Sequence, residues 1–389
     1  MDKNIYDYII CGAGASGLIL ASSIINDKYF SNKKILLIEK ENKNLNDRTW
    51  SFWEKKNGKF DDLVSKSWSI AKFKSPNTNL KFNLDPFVYK TIRSSDFYKK
   101  LFDDLKSSKQ IQIINLEVKK IINKKNEVIV QTKSKEYIGK YVFSSILEKN
   151  KLKDSSFPYL KQHFEGWFIK TKKPFFNENE TTLMDFSINQ TTDTRFMYIL
   201  PFKPNEALVE FTLFSKSILK KPEYENILKT YLNNKGINSY EIIEKEEGVI
   251  PMTCYPFEKH NDSRLLFIGT AGGWTKASSG YTFKNIINKT ELLVDFLKKE
   301  NDLKKFNSKS RFNFYDLVLI DVLFNYNHLG HKIFSSLFKN NKPNKVFKFL
   351  DETTTFLDEL KIMYSFPLSI KLLFIKALFK NLFKYYKEI

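Results

Sequence analysis

The chain has 389 residues, enough to bury a substantial core and usually to form two domains. Its only cysteines, Cys11 and Cys254, sit in no Cys-x-x-Cys or metal-like pattern, which argues against a disulfide scaffold or zinc module and for a reducing, cytoplasmic setting. Against 44 Asp and Glu stand 64 Lys and Arg, a formal net charge of +20 that either fills solvated faces or attracts nucleic acid or a lipid surface.

The first element is a buried-strand run, Tyr6 to Cys11, entered directly from the N-terminus with no room for a signal peptide. Gly12, Gly14 and Gly17 follow with the spacing of the turn that brings a pyrophosphate onto a helix N-terminus. Gly12 serves the turn, Gly14 leaves room for phosphate, and Gly17 allows close helix–strand packing. Leu18 to Ile25 continues the helix, and Lys34 to Ile38 is the next parallel strand. Glu39 then falls about 20 residues past the last glycine, where a carboxylate accepts the hydroxyls of an adenosine ribose. A carboxylate there leaves no place for a 2′-phosphate, so the spacing indicates FAD or NAD.

Next comes Asn46-Asp-Arg-Thr-Trp-Ser-Phe-Trp53, whose aromatic rings need an apolar surface to face. Trp68, Phe73, Phe82 and Phe87 lie in short alternating runs read as strands. A helix starts after Arg93, capped by Ser94 or Ser95, with Phe97 and Leu101 on its inner face. Ile111 to Leu116, Lys119 to Ile122 and Glu127 to Thr132 read as strands, and Lys140 to Ser145 as a buried strand returning to the nucleotide sheet.

From about 155 to 255 the pattern is extended, with one amphipathic helix at Glu223 to Lys235. Two strands are clear, Arg195 to Leu200 and Ala207 to Phe214, and the block reads as a sheet roofing the cofactor. In the second strand, alternation puts Val209, Phe211 and Leu213 on one face and Leu208, Glu210, Thr212 and Phe214 on the other. Glu210 is then either at a solvated rim or in a partly apolar pocket with its pKa raised. Asp185 carries the same ambiguity. The four histidines, His163, His260, His328 and His331, read as structural or surface residues, and no metal site is expected.

Leu265 to Ile268 runs into Gly269, Gly272 and Gly273, and a helix follows through Leu297. A second phosphate-friendly turn is expected where an extended dinucleotide is held at both ends, which favours FAD over NAD. Residues 311 to 389 read as helical. Lysines at 361, 371, 376, 380, 384 and 387 interrupt any span, and the uncharged run Ile362 to Ile370 is far below the roughly 18 residues a crossing needs. From Ile370 onward, apolar positions 372, 373, 375, 379, 382 and 383 alternate with lysines. Such a helix lies in a lipid interface or docks on the protein body. The concentration of Phe in this last third favours lipid over nucleic acid.

At these residues the sequence resembles the lycopene cyclase family, most of all its bacterial beta-cyclases. The resemblance rests on ordered segments: Gly12 to Gly17; Asn46 to Trp53; Gln162-His-Phe-Glu-Gly-Trp167; Leu183-Met-Asp-Phe186; Arg195 to Pro201; Leu208 to Ser215; Glu246-Glu-Gly-Val-Ile-Pro-Met-Thr253; and Ile268 to Phe283. It implies an α/β fold: a Rossmann-like, glutathione-reductase-like FAD-binding domain, an inserted mainly β substrate domain and a helical C-terminal region. Residues 1–150 and 256–300 would make the first, 151–255 the second, and 301–389 a basic, membrane-facing third.

The resemblance further implies redox-neutral cyclisation of lycopene, through gamma-carotene to beta-carotene, on reduced FAD with NAD(P)H as electron donor. Glu210 matches the acid regarded as essential. Phe211 replaces the second acid of that motif, which puts a two-carboxylate scheme in doubt. By the same resemblance, Gly12, Gly14, Gly17, Glu39, Arg48, Gly269, Gly272 and Gly273 hold FAD, while Trp50, Trp53 and Asp185 serve substrate or cation. The enzyme would sit peripherally on the cytoplasmic side of a membrane. A flavin-dependent monooxygenase on another apolar substrate is the alternative.

Overall fold

A computed structural model describes residues 5–55, 57–148, 152 and 156–387, with side chains described as far as residue 382. The chain runs β1 (Ile5–Cys11), α1 (Ala15–Ile25), β2 (Ile35–Glu39), β3 (Thr49–Lys55), β4 (Val64–Trp68), β5 (Ile70–Ser75), β6 (Thr78–Asn83), β7 (Phe87–Arg93) and α2 (Ser94–Lys106). It continues through β8 (Ile111–Asn115), β9 (Val118–Asn123), β10 (Val128–Thr132), β11 (Glu136–Ser144), β12 (Leu160–Thr171), β13 (Glu180–Asp185), β14 (Thr194–Lys203), β15 (Glu206–Ser215), α3 (Lys221–Asn234) and β16 (Tyr240–Met252). After β17 (Leu265–Phe267) come α4 (Phe283–Leu297), α5 (Phe312–Tyr326), α6 (Gly330–Asn340), α7 (Pro343–Leu350), α8 (Phe356–Tyr364) and α9 (Leu368–Lys387).

The first sheet is a parallel core, β8-β2-β1-β11, built from runs apolar on both sides, as parallel strands covered on both faces must be. Ile10, Ile35 and Leu37 pack under α1 and α4, while Ile9, Cys11, Leu36 and Ile38 meet the opposite cluster, with Val128 and Val142. Beyond β1, strand β11 divides its free edge: Glu136 to Gly139 pair antiparallel with β10, and Val142 to Ser144 pair parallel with β17. The late glycine turn after β17 is thereby brought back beside the first.

The second sheet has the order β16-β12-β15-β14-β13-β5-β6. Its last two strands come from residues 70–83, so the expected division at residue 150 does not separate the two sheets. Strand β13 would otherwise end the sheet with an open edge, and β5 closes it with buried Ala71 and Phe73. One face of this sheet packs Trp167, Val209, Phe211 and Leu213 under α3. The other packs Phe73, Phe186, Phe196 and Phe214 against the C-terminal helices through Leu323, Phe334 and Phe338. Strands β3, β7 and β4 form a small third sheet.

Two local expectations change. Helix α2 begins at Ser94, and neither serine caps it in the expected way; Ser94 Oγ bonds Asp47 Oδ1 at 3.0 Å, while the Ser95 amide is satisfied by Asn46 Oδ1 at 3.1 Å. The cap is therefore supplied from the distant aromatic segment, which ties that segment to the sheet. The lysine-rich helix α9 docks by one face and leaves another exposed. Ile370, Ala377 and Asn381 are buried against the body and Lys380 bonds Asp321, whereas Leu368, Leu372, Ile375 and Phe379 are exposed. The side chains of Phe383, Lys384 and Lys387 lie outside those described. No described helix is long and apolar enough to cross a membrane.

Candidate active site and cofactor cleft

The cofactor cleft is made by backbone that excludes side chains. Gly12 has φ +98°, a left-handed conformation that disfavours other residues. A Cβ on Gly17 would lie 1.9 Å from the Gly12 carbonyl oxygen, so helix and turn close together only because residue 17 has none. At Gly14 a Cβ would meet nothing within 4 Å: the turn faces open space there. No described side chain caps α1, whose first amides are free to meet an anion. Glu39 is buried at the end of β2 and accepts from the Ala13 amide at 2.6 Å and the Glu41 amide at 3.0 Å. The carboxylate thus stands at the lip of the glycine turn.

The second turn abuts the first. Gly269 has φ +60°, and a Cβ there would come within 2.2 Å of Ser16 Oγ on α1. Gly272 and Gly273 are closed over Phe267 and Phe257 in the same way. Arg48, Thr49, Trp50 and Thr270 lead from this cleft into a cavity of about 730 Å³. In its wall Gln162 Oε1 and Ser279 Oγ are buried without a hydrogen-bond partner among the described residues. An uncapped helix start, a side-chain-free turn, a ribose-height carboxylate and two orphaned polar atoms together fit a dinucleotide with an extended polar ring system.

From there the cavity runs between the second sheet and the C-terminal helices, reaching Leu360, Tyr364 and Ile375. Its lining is dominated by Phe, Tyr, Trp, Leu and Ile. Glu210, on β15, points into it and is 8% exposed, so the solvated-rim alternative is excluded. Burial, with the charge of Glu246 beside it, pushes its carboxyl up to about 8 against a hydrogen bond from Thr212. Near it Tyr89 links the hydroxyls of Tyr198 (2.8 Å) and Tyr281 (3.0 Å). Trp53 meets the Tyr281 ring edge-on at 4.6 Å, and Trp50 stacks on Phe283 at 5.2 Å.

Arg48, Trp50, Trp53 and Glu210 are therefore brought to one cavity, with the glycine cleft at its margin. Asp185 is not. It lies on the far side of its sheet, bonded to Tyr231 Oη at 2.8 Å and the Ser187 amide at 2.9 Å, with Lys235 Nζ at 3.6 Å. Those hydrogen bonds and the Lys235 charge hold its carboxyl below the usual range despite burial, the opposite of a proton donor. His163 is buried between Tyr224 and Ser215, and burial lowers it to about 4.

Sequence reasoning missed Glu246 on β16. It lines the cavity, is buried, and accepts from Thr49 Oγ1 at 2.6 Å. Burial pushes its carboxyl up to about 6, with Thr49 and Arg93 pulling it back. Glu241, Glu244 and Glu247 share its strand, so composition does not mark it out. Only the strand register does.

A profile of lycopene cyclase proteins matches residues 7–373. Among curated proteins, the lycopene beta-cyclase of Pantoea ananas is 23% identical over 255 residues, 64% of this chain and 63% of that protein, so the match spans less than two thirds of the relative's length. Among solved structures, a geranylgeranyl bacteriochlorophyll reductase-like protein from Thermoplasma acidophilum superimposes with a TM-score of 0.64 at 15% identity, covering 95% of this chain and 99% of the other. A variant of the halogenase PltM in complex with FAD gives 0.55 at 10% identity, over 89% and 79% of the two chains. The fold is accordingly that of the FAD-dependent flavoproteins. With the profile matched along nearly all its length, the chain belongs to the lycopene cyclase family.

Proposed function

We propose that the protein is a FAD-dependent lycopene beta-cyclase, closing the acyclic ends of lycopene to beta-ionone rings through gamma-carotene to beta-carotene. The observation that carries this reading is Glu210: a buried carboxyl, its pKa pushed up by that burial, in an apolar cavity that adjoins a dinucleotide cleft. An isolated double bond is a poor base, and a carboxylic acid can protonate it only where water does not compete. Glu210 donates that proton. The electron pair of the neighbouring double bond closes the ring and leaves a tertiary cation. The faces of Trp50, Trp53 and Tyr281 are the electron-rich surfaces beside it.

Gly12, Gly14, Gly17 and Glu39 would hold the adenosine and pyrophosphate parts of FAD, with Gly269, Gly272, Gly273 and Arg48 along its length. Held there in its reduced form, with NAD(P)H as the electron donor, FAD would supply negative charge to stabilise the developing cation while no net electrons pass to the product. The substrate is insoluble in water, and the cavity reaches helices α8 and α9 beside exposed Leu357, Leu368, Leu372 and Phe379. This supports a peripheral membrane protein that draws one end of a polyene out of lipid.

The test is pigment extraction from cells that accumulate lycopene and express this chain. Beta-ring carotenoids are expected with the wild type. Glu210→Gln should load flavin normally and leave lycopene unchanged. Lycopene persisting beside flavin-loaded wild-type protein would overturn the reading, and product formed in step with oxygen uptake would replace it with monooxygenation.

A further inference from the structure

Gly166, in the middle of β12, stands opposite Glu210 of β15 on one side and Glu246 of β16 on the other. Directly opposed residues of an antiparallel ladder project to the same face. Two carboxylates therefore rise on either side of a position that has no side chain. A Cβ on Gly166 would meet Leu208 Cδ1 at 2.8 Å, Glu246 Cγ at 3.2 Å and Glu210 Cβ at 3.5 Å, so the Leu208 methyl packs over the glycine beside the two acids. With adjacent strands about 4.8 Å apart, β16 and β15 flank β12 at about 9.6 Å from each other, and both acids line the same cavity.

Their settings differ. Arg93 Nη2 donates to both carboxylate oxygens of Glu244 at 2.6 Å, and Nη1 donates to the Thr49 hydroxyl at 3.0 Å. A guanidinium only donates, so the Thr49 proton turns toward Glu246 Oε2, 2.6 Å away. Glu246 is thereby fixed as an acceptor within the field of Arg93. Glu210 receives a hydrogen bond from Thr212 and has no salt-bridge partner among the described residues. Two buried carboxylates facing one cavity disfavour each other's ionisation, and the asymmetry leaves the proton on Glu210.

We propose that Glu246 is the base of the second half-reaction, removing the ring proton from the opposite side of β12 while Glu210 acts as the acid of the first. The proposal rests on the cyclase reading above. In balance, the Glu210 O–H breaks and a C–H forms at the terminal double bond. The ring C–C bond forms from the next double bond. The C–H at the ring junction then breaks, its electron pair becomes the ring double bond, and its proton passes to a Glu246 oxygen. One proton enters the substrate and one leaves, so nothing is oxidised or reduced. Return of the proton from Glu246 to Glu210 by way of the cavity restores the pair. The pairing also supplies the second acid that Phe211 removes from β15: it comes from the edge strand β16, on the other side of β12, instead.

The base decides which ring isomer forms, since loss of the junction proton gives the conjugated beta double bond and loss of the adjacent methylene proton gives the epsilon one. The experiment is chromatography of products from flavin-loaded protein, lycopene in liposomes and a reductant. It compares wild type with Glu246→Gln, Glu246→Asp and the exposed neighbour Glu247→Gln. Glu246→Gln should keep its flavin, slow by about 100-fold or more, and release a residue of product with a raised share of non-beta rings. Glu246→Asp should recover part of the rate with a shifted isomer ratio, and it carries the test if the Gln variant does not load flavin. Glu247→Gln should match wild type.

Wild-type rate and pure beta product from Glu246→Gln would overturn the assignment. So would a slow Glu246→Asp or Glu246→Gln variant whose ring ratio is unchanged, because that is a structural effect. A wild type that forms no ring product defeats the cyclase reading itself, a distinct result.

Discussion

Ser16, at the start of α1, lies against Gly269 of the late turn so closely that a Cβ at 269 would sit 2.2 Å from Ser16 Oγ and 3.0 Å from Ser16 Cβ. The two glycine turns are thus one structure, assembled when β17 joins the edge of β11. Gly269→Ala combines this overlap with a left-handed backbone, φ +60°, worth about 1–2 kcal/mol for a residue with a Cβ. The variant should fold and purify with far less flavin than wild type, as read from its visible absorbance. Ser16→Gly in the same chain removes the overlap and should recover most of the loading. Full flavin in Gly269→Ala alone would show that the turns yield independently.

Under the proposed acid–base roles, Glu210 and Glu246 give activity and stability different pH profiles. As a pair they are competent when one proton is held between them, so turnover should be bell-shaped, falling below about 6 and above about 8. For stability, a carboxyl whose folded pKa is raised binds a proton that the unfolded chain has already released. Stability therefore declines as pH rises from the ordinary carboxylate range toward about 8. Glu210→Gln removes that decline. Its melting temperature relative to wild type should climb between acidic and mildly alkaline buffer, and parallel curves would contradict the buried, protonated state.

What could be read from the chain was what is local. Gly12, Gly14, Gly17 and Glu39 carry their meaning within one β-α-β unit, and the β15 alternation separates Glu210 from Phe211 without knowledge of any partner. What could not be read depends on pairing between distant strands. Glu246 is one acid among four in β16 until Gly166 aligns it with Glu210. The hairpin of residues 70–83 has ordinary strand periodicity, and nothing in it reveals that β5 will run parallel to β13. Asp185 and Glu210 looked alike as single acids in apolar strands. Tyr231, on a helix packed over the opposite face, distinguishes them.

That difference is measurable at Asp185. Its carboxylate is buried and accepts hydrogen bonds from Tyr231 and Ser187, each to a charged group and worth about 1.5–3 kcal/mol. Asp185→Asn should lose about 2 kcal/mol in a denaturant titration while turnover per bound flavin stays at the wild-type level. Because the folded pKa is lowered, this contribution is complete above the ordinary carboxylate range and disappears as pH falls through the folded value. The gap between Asp185→Asn and wild type should narrow in acid. Loss of turnover with unchanged stability would return Asp185 to the catalytic set.

The exposed face of α9 should decide how the protein meets its substrate. Leu368, Leu372 and Phe379 are 69%, 56% and 64% exposed on one helix. None of the three lines the cavity, whereas their neighbours Lys371, Phe374, Ile375 and Leu378 do. The cavity therefore opens beside an apolar rim on a chain of net charge +20, which favours an anionic lipid surface. Replacing Leu368, Leu372 and Phe379 together by Ser, at about 1 kcal/mol for each partly inserted side chain, should weaken co-sedimentation with anionic liposomes by tenfold or more. Flavin content and turnover of detergent-dispersed lycopene should stay near wild type, since none of the three side chains lines the cavity. Unchanged liposome binding would mean that α9 faces something other than lipid.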